Sequence, residues 1–129
     1  MSFETKRESP YSVVCSSAST DFRGLSDICG ARATRLVVVG EVVRPGAAPA
    51  KFSVWRHTIE LDGHPDRDAA AYLNRALELL EIVAPRLQPG DDLVLEIDCD
   101  RFLSGESVGL APDIMRRLAK LNARLDLLF

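Results

Sequence analysis

The chain has 129 residues, with 16 Lys or Arg against 19 Asp or Glu and a formal charge of −3. At 47% hydrophobic and 27% charged content this is one globular domain, long enough to bury roughly two thirds of its unfolded surface. So mild a charge gives no electrostatic basis for nucleic-acid binding, and no apolar run approaches the ~20 residues that cross a bilayer.

The N-terminus, MSFETKRESP, is charged and lacks the apolar core of a leader, so the expectation is a soluble, cytoplasmic protein with a flexible tail over residues 1–9. Cys15, Cys29 and Cys99 are odd in number and far apart, which fits small side chains in apolar surroundings better than a zinc or redox motif. Tyr11 to Ser17 is a short strand. Thr20 or Asp21 can then cap a short helix with Phe22, Leu25, Ile28 and Cys29 on one face, and Gly30 supplies a left-handed stop. Arg35 to Val43 is β-branched and apolar, a second strand in which Gly40 marks a bulge or close approach. Pro45, Gly46 and Pro49 make Arg44 to Ala50 a flexible loop.

Phe52 to Leu61 is the third strand, with Trp55, His57 and Ile59 on one face and Val54, Arg56 and Glu60 on the other. After Asp62-Gly63, Pro65 opens the strongest helix of the chain, with Leu73, Ala76, Leu77, Leu80, Ala84 and Leu87 at helical spacing. Pro85 kinks or ends its regular part and Pro89-Gly90 stops it. From Asp91 to Phe102 apolar and acidic residues alternate, placing one face on the core and one in water. A Ser/Gly loop through residues 104–109 leads to Pro112 and a third helix, lined inside by Ile114, Leu118 and Leu121, with Arg116, Arg117, Lys120 and Arg124 giving it a basic outer side and C-terminal end. Leu125 to Phe129 is a last strand or an apolar tail docked on the core.

The order is thus β-α-β-β-α-β-α-β in a single α+β domain over residues 10–129. Its first six elements match the split βαβ pattern of ferredoxin-like folds, with helices on one face of an antiparallel or mixed sheet. These features together resemble the bacterial proteins grouped as domain of unknown function 4279. The likeness is carried by Ile28-Cys29-Gly30 at a helix end, the single Trp55, the Leu-rich helix from Tyr72 to Leu87, the alternating strand, and LAPDIMRRLAKLNARLDLLF at the end. It implies a fold. It supplies no activity and no site residue.

The one local concentration of charge is Asp92, Glu96, Asp98 and Asp100 on a single strand face, with Asp91 and Glu106 nearby and only Arg101 among them. Alternate residues of a strand lie about 7 Å apart, too far for two neighbours to hold one Mg²⁺ or Ca²⁺ unaided. This face is either solvated and matched by arginines of adjacent strands or a dock for a basic partner. His57 and His64 stand apart from any nucleophile, and no phosphate loop or hydrolase motif is present, so no catalytic residue, metal set or cofactor emerges.

Three readings stay open. The first is a non-enzymatic protein-binding module, of the immunity type, that neutralises a basic toxin domain through Asp92, Glu96, Asp98 and Asp100. The second is a small-molecule or metal-dependent enzyme using Glu96, Asp98 and His57 between the sheet and the loops at 44–51 and 104–109. The third is a homodimer formed along the edge strand Arg35 to Val43. Nucleic acid is not among them, because the acidic strand repels phosphates and exposed aromatics are scarce.

Overall fold

A computed structural model describes residues 7–61, 65–99 and 110–129. Five strands form one sheet: β1 (Arg7–Ser17), β2 (Arg35–Val37), β3 (Ser53–Leu61), β4 (Asp92–Asp98) and β5 (Arg124–Leu128). Between them lie α1 (Leu25–Cys29), α2 (Pro65–Val83) with a 3-10 turn at Ala84–Arg86, and α3 (Pro112–Lys120).

The spatial order is β2-β3-β1-β4-β5. β1 runs antiparallel to both β3 and β4, and β2 is antiparallel to β3. β3 thus lies between β1 and β2, and β1 between β3 and β4, so the strands joined through α1 and through α2 are not neighbours in the sheet. β5 is added parallel to β4, which requires the crossover that α3 provides. The expected α+β class, mixed sheet and one-sided helices are all present.

Period two decides the layers. Tyr11, Val13 and Cys15 of β1, Trp55 and Ile59 of β3, and Leu93, Leu95 and Ile97 of β4 are buried under α2. From α2 come Tyr72, Leu73, Ala76, Leu77, Leu80 and Val83, recurring at helical spacing. Each buried Leu or Val contributes about 1.5–3 kcal/mol, so this layer carries most of the domain's stability. Pro85 converts the end of α2 to the 3-10 turn because it cannot donate to the preceding turn.

Several boundaries differ from the sequence expectation. β1 begins at Arg7, inside the expected 1–9 tail, and Ser9 is buried with its hydroxyl accepting a hydrogen bond from the Tyr11 N–H (3.1 Å). α1 starts at Leu25, not after Thr20 or Asp21: Phe22 has a left-handed backbone (φ 60°) that drops its ring into the core, and the Thr20 hydroxyl is engaged by Asp91. Ile28 is exposed rather than on the inner face. Gly30, at φ 69°, is the left-handed stop that was expected.

β2 ends at Val37 instead of Val43, because Gly40 takes φ 91° and turns the chain. Residues beyond it fold back on themselves: the Gly40 N–H donates to the Ala50 carbonyl and the Ala50 N–H to the Glu41 carbonyl, both at 2.8 Å. The Pro-rich loop is thus closed at its neck. At the other end, Leu125 to Phe129 includes a true strand with Leu127, Leu128 and Phe129 exposed, not a docked tail. The expected reach of the acidic strand to Phe102, and the loop at 104–109, lie outside the described residues beyond Cys99.

Candidate functional site: the uncovered face of the sheet

The helices leave one face of the sheet uncovered by any described element. Register places its side chains in rows that cross the strands. Val37, Val54, Ser16 and Asp92 form one row; Arg35, Arg56, Val14, Val94 and Arg124 the next; Thr58, Ser12, Glu96 and Asp126 a third. Asp98 and Leu128 continue beyond.

Three of the four acidic candidates therefore share this face, and Asp100 lies outside the described residues. Glu96 accepts two hydrogen bonds from the Arg56 guanidinium, at 2.5 and 3.0 Å, and the pair is mostly shielded from water. Asp92 is bridged by Arg124 at 2.7 Å, and the same arginine donates to Asp126 at 3.0 Å. These are cross-strand arginine partners of the kind the alternation allowed. They cancel part of the field that the acidic run has in the sequence. Arg56 and Arg124 are far from β4 in sequence, so only the strand order could reveal them.

Beneath the Arg56–Glu96 pair the Ser12 and Thr58 hydroxyls are hydrogen-bonded to each other at 3.0 Å, both buried. Here the face dips into a cavity of about 240 Å³ lined by Ser12, Thr34, Arg56, Thr58, Glu96 and Asp98, with Ser9 and Pro10 at its end. Across the Val14–Val94 row lies a second, shallower hollow of about 520 Å³ between Ser16, Phe52, Val54, Asp92 and Arg124. Phe52 is 56% exposed there. Each hollow has one ion pair in its wall and apolar side chains between them. Neither is bounded by the 44–51 loop.

His57 does not join this site. It belongs to the row of Trp55 and Ile59 on the helix side, where its ring stacks on Trp55 (centroids 6.2 Å apart) and its Nδ1–H donates to the Arg32 carbonyl at 2.6 Å. The expected acid–base grouping of Glu96, Asp98 and His57 is thus not assembled: adjacent strand residues point to opposite faces, and His57 falls on the wrong one. Among the described residues no group of three His, Cys, Asp or Glu side chains is arranged to hold a metal ion. Trp55 is fully buried, and its indole N–H donates to the Ser26 hydroxyl at 3.0 Å.

The cysteines are free thiols. Burial, reinforced by the charges of Cys29, Asp91 and Asp92, pushes the Cys15 thiol up to about 12, so it is a poor nucleophile. The basic face of α3 is partly spent on structure. Arg117 donates to Glu81 and, at 3.1 Å, to the Asn74 carbonyl oxygen, tying α3 to α2.

No protein-family model matches the chain, and searches of curated proteins and of solved structures return no match. The likeness to domain of unknown function 4279 stays a resemblance of pattern. Among the described residues, no helix is long and apolar enough to cross a membrane.

Proposed function

We propose that the protein is a non-enzymatic binding module that docks a basic protein domain on the uncovered face of its sheet. The observation that carries this reading is the construction of that face. Apolar Val14, Val54 and Phe52 are framed by side chains already held in place by ion pairs, so little conformational freedom is lost on docking. Charge supports a cationic occupant: among the described residues, Glu60, Asp92, Glu96, Asp98 and Asp126 share the face with Arg35, Arg56 and Arg124. The narrower form is an immunity-type protein whose target is a toxin domain, and three free cysteines suit a reducing, cytoplasmic setting.

The test compares tagged wild type with an Asp98→Lys/Asp100→Lys variant in pull-down from the native host. A retained basic protein is then purified and its affinity measured at rising salt. Binding that weakens with salt and is lost in the variant supports the reading; equal binding by both chains overturns the acidic-face version.

A second reading has its own observation. The 240 Å³ cavity offers the Ser12, Thr34 and Thr58 hydroxyls beside Arg56, Glu96 and Asp98, a lining that suits a small polar molecule with both donors and acceptors. A metabolite thermal-shift screen distinguishes it, since stabilisation abolished by Thr58→Val places the ligand in this cavity. A flat response across the panel removes it.

A further inference from the structure

The sheet ends in two strands of unlike character. β2 is three residues long and the chain turns away after Val37. β5 is five residues long, and among the described residues nothing pairs with its outer edge. Leu127, Leu128 and Phe129 beside that edge are 44%, 43% and 88% exposed. A row of backbone donors and acceptors next to apolar side chains is a template for another strand.

We infer that β5 pairs antiparallel with β5 of a second copy of this chain, joining two five-stranded sheets across a twofold axis. Charge selects the register. Arg124 and Asp126 both point to the uncovered face, as their partners Val94 and Glu96 require. In a continuous sheet, residues opposite each other share a face, so only registers that oppose like-facing residues are allowed.

With Leu125 on the axis, each Arg124 stands opposite the Asp126 of the other copy, and two opposite-charge pairs form at the Cβ spacing of about 4.5–5.5 Å. Centring on Asp126 sets carboxylate against carboxylate. Centring on Arg124 sets guanidinium against guanidinium. Centring on Leu127 places Asp126 against Leu128 and loses both pairs.

Edge strands are commonly protected by charges that repel a second strand; here the two charges are self-complementary. They are also pre-set, because Arg124 already holds Asp126 at 3.0 Å and Asp92 at 2.7 Å. In the chosen register Leu127 and Leu128 cover Ala123 and Asn122 of the other copy. A twofold, self-complementary contact is the commonest way for identical chains to associate, which is why the occupant is a second copy.

Sedimentation velocity from micromolar to millimolar protein tests this. The expected result is a species of about twice the 14.2 kDa chain mass at the upper end. Asp126→Lys and Arg124→Asp each put like charges across the axis, so each variant alone stays at chain mass. Their equimolar mixture restores the dimer, because each variant supplies the charges the other lacks. Wild type at chain mass throughout overturns the inference. So does a dimer unmoved by either variant, which places the contact elsewhere. A mixture that fails to restore the dimer, when both variants keep the wild-type circular dichroism spectrum, also overturns it.

Discussion

Arg56 and Glu96 meet over a strand that carries neither of them. One stands on β3 and the other on β4, with β1 between, and the guanidinium reaches diagonally past Val14 and Ser12 to take both carboxylate oxygens. With side-chain exposures of 31% and 16% the pair sits between the surface and buried regimes.

Arg56→Ala or Glu96→Ala should therefore each destabilise the fold by about 1–3 kcal/mol, since each strands a half-buried charge. The double variant should cost less than the sum, and urea denaturation of the four proteins in a double-mutant cycle measures the coupling. Additive effects would show that the two side chains do not act as a pair. The coupling should also survive added salt better than that of Arg124 with Asp92, whose members are 57% and 40% exposed.

Ser26 ties the α1 region to the core. Its hydroxyl oxygen accepts from the Trp55 indole N–H at 3.0 Å and from the Ala33 N–H at 3.3 Å. Ser26→Ala removes the acceptor for both and should cost about 1–3 kcal/mol. The near-ultraviolet signal of Trp55 should change while the far-ultraviolet spectrum stays. An unchanged denaturation midpoint would mean that water replaces the hydroxyl without loss.

Asp91 should make the protein less stable in acid. Partial burial opposes ionisation, but hydrogen bonds from Ser17, the Gln88 N–H and the Thr20 hydroxyl outweigh it and hold the carboxyl below its ordinary value. A carboxyl lowered on folding is ionised in the native chain where the unfolded chain has bound a proton. Its contribution is thus fully present above the unfolded value of about 4 and fades as pH falls through the folded one. Asp91→Asn should cost about 1 kcal/mol at neutral pH, kept small by exposure to solvent, and less at low pH. Unfolding midpoints of both proteins across this range check the sign: the gap must narrow as pH drops.

Thiol labelling should discriminate among the three cysteines. Cys15 is fully buried with its thiol pushed up to about 12, whereas Cys29 and Cys99 are half-buried. In native protein at neutral pH a thiol reagent should modify Cys29 and Cys99 well before Cys15, and denaturant should erase the difference. Peptide mapping of quenched time points reads it. Early labelling of Cys15 would show that β1 opens readily.

Much of the fold is legible along the chain because period two and period 3.6 are local properties. The alternation of Leu93, Leu95 and Ile97 with Asp92, Glu96 and Asp98 foretells the two faces of β4, and Leu73 through Val83 foretells the buried stripe of α2. Boundaries set by backbone conformation were harder to read. Val38 to Val43 has the composition of a strand, but Gly40 at φ 91° turns it back, and composition does not report a dihedral angle.

The candidate site was legible only in part. The acidic row stands out in the sequence, and its face is assigned by alternation. Its arginines do not stand out, for Arg56 and Arg124 lie 40 and 28 positions from Glu96 and carry no motif. The same rule excludes His57, since the alternation that aims Arg56 toward Glu96 turns its neighbour to the other side.

Sequence by itself determined the layers: which residues are apolar, at what period, and therefore which side of each strand and helix is buried. Tertiary structure decided which strands lie side by side. That order, β2-β3-β1-β4-β5, turns a run of carboxylates into ion pairs and hollows and leaves β5 at an edge with a self-complementary charge pattern. The physical reason is one of range. Periodicity follows from the geometry of a few consecutive residues, whereas strand pairing brings together groups whose proximity is settled only when the whole core closes.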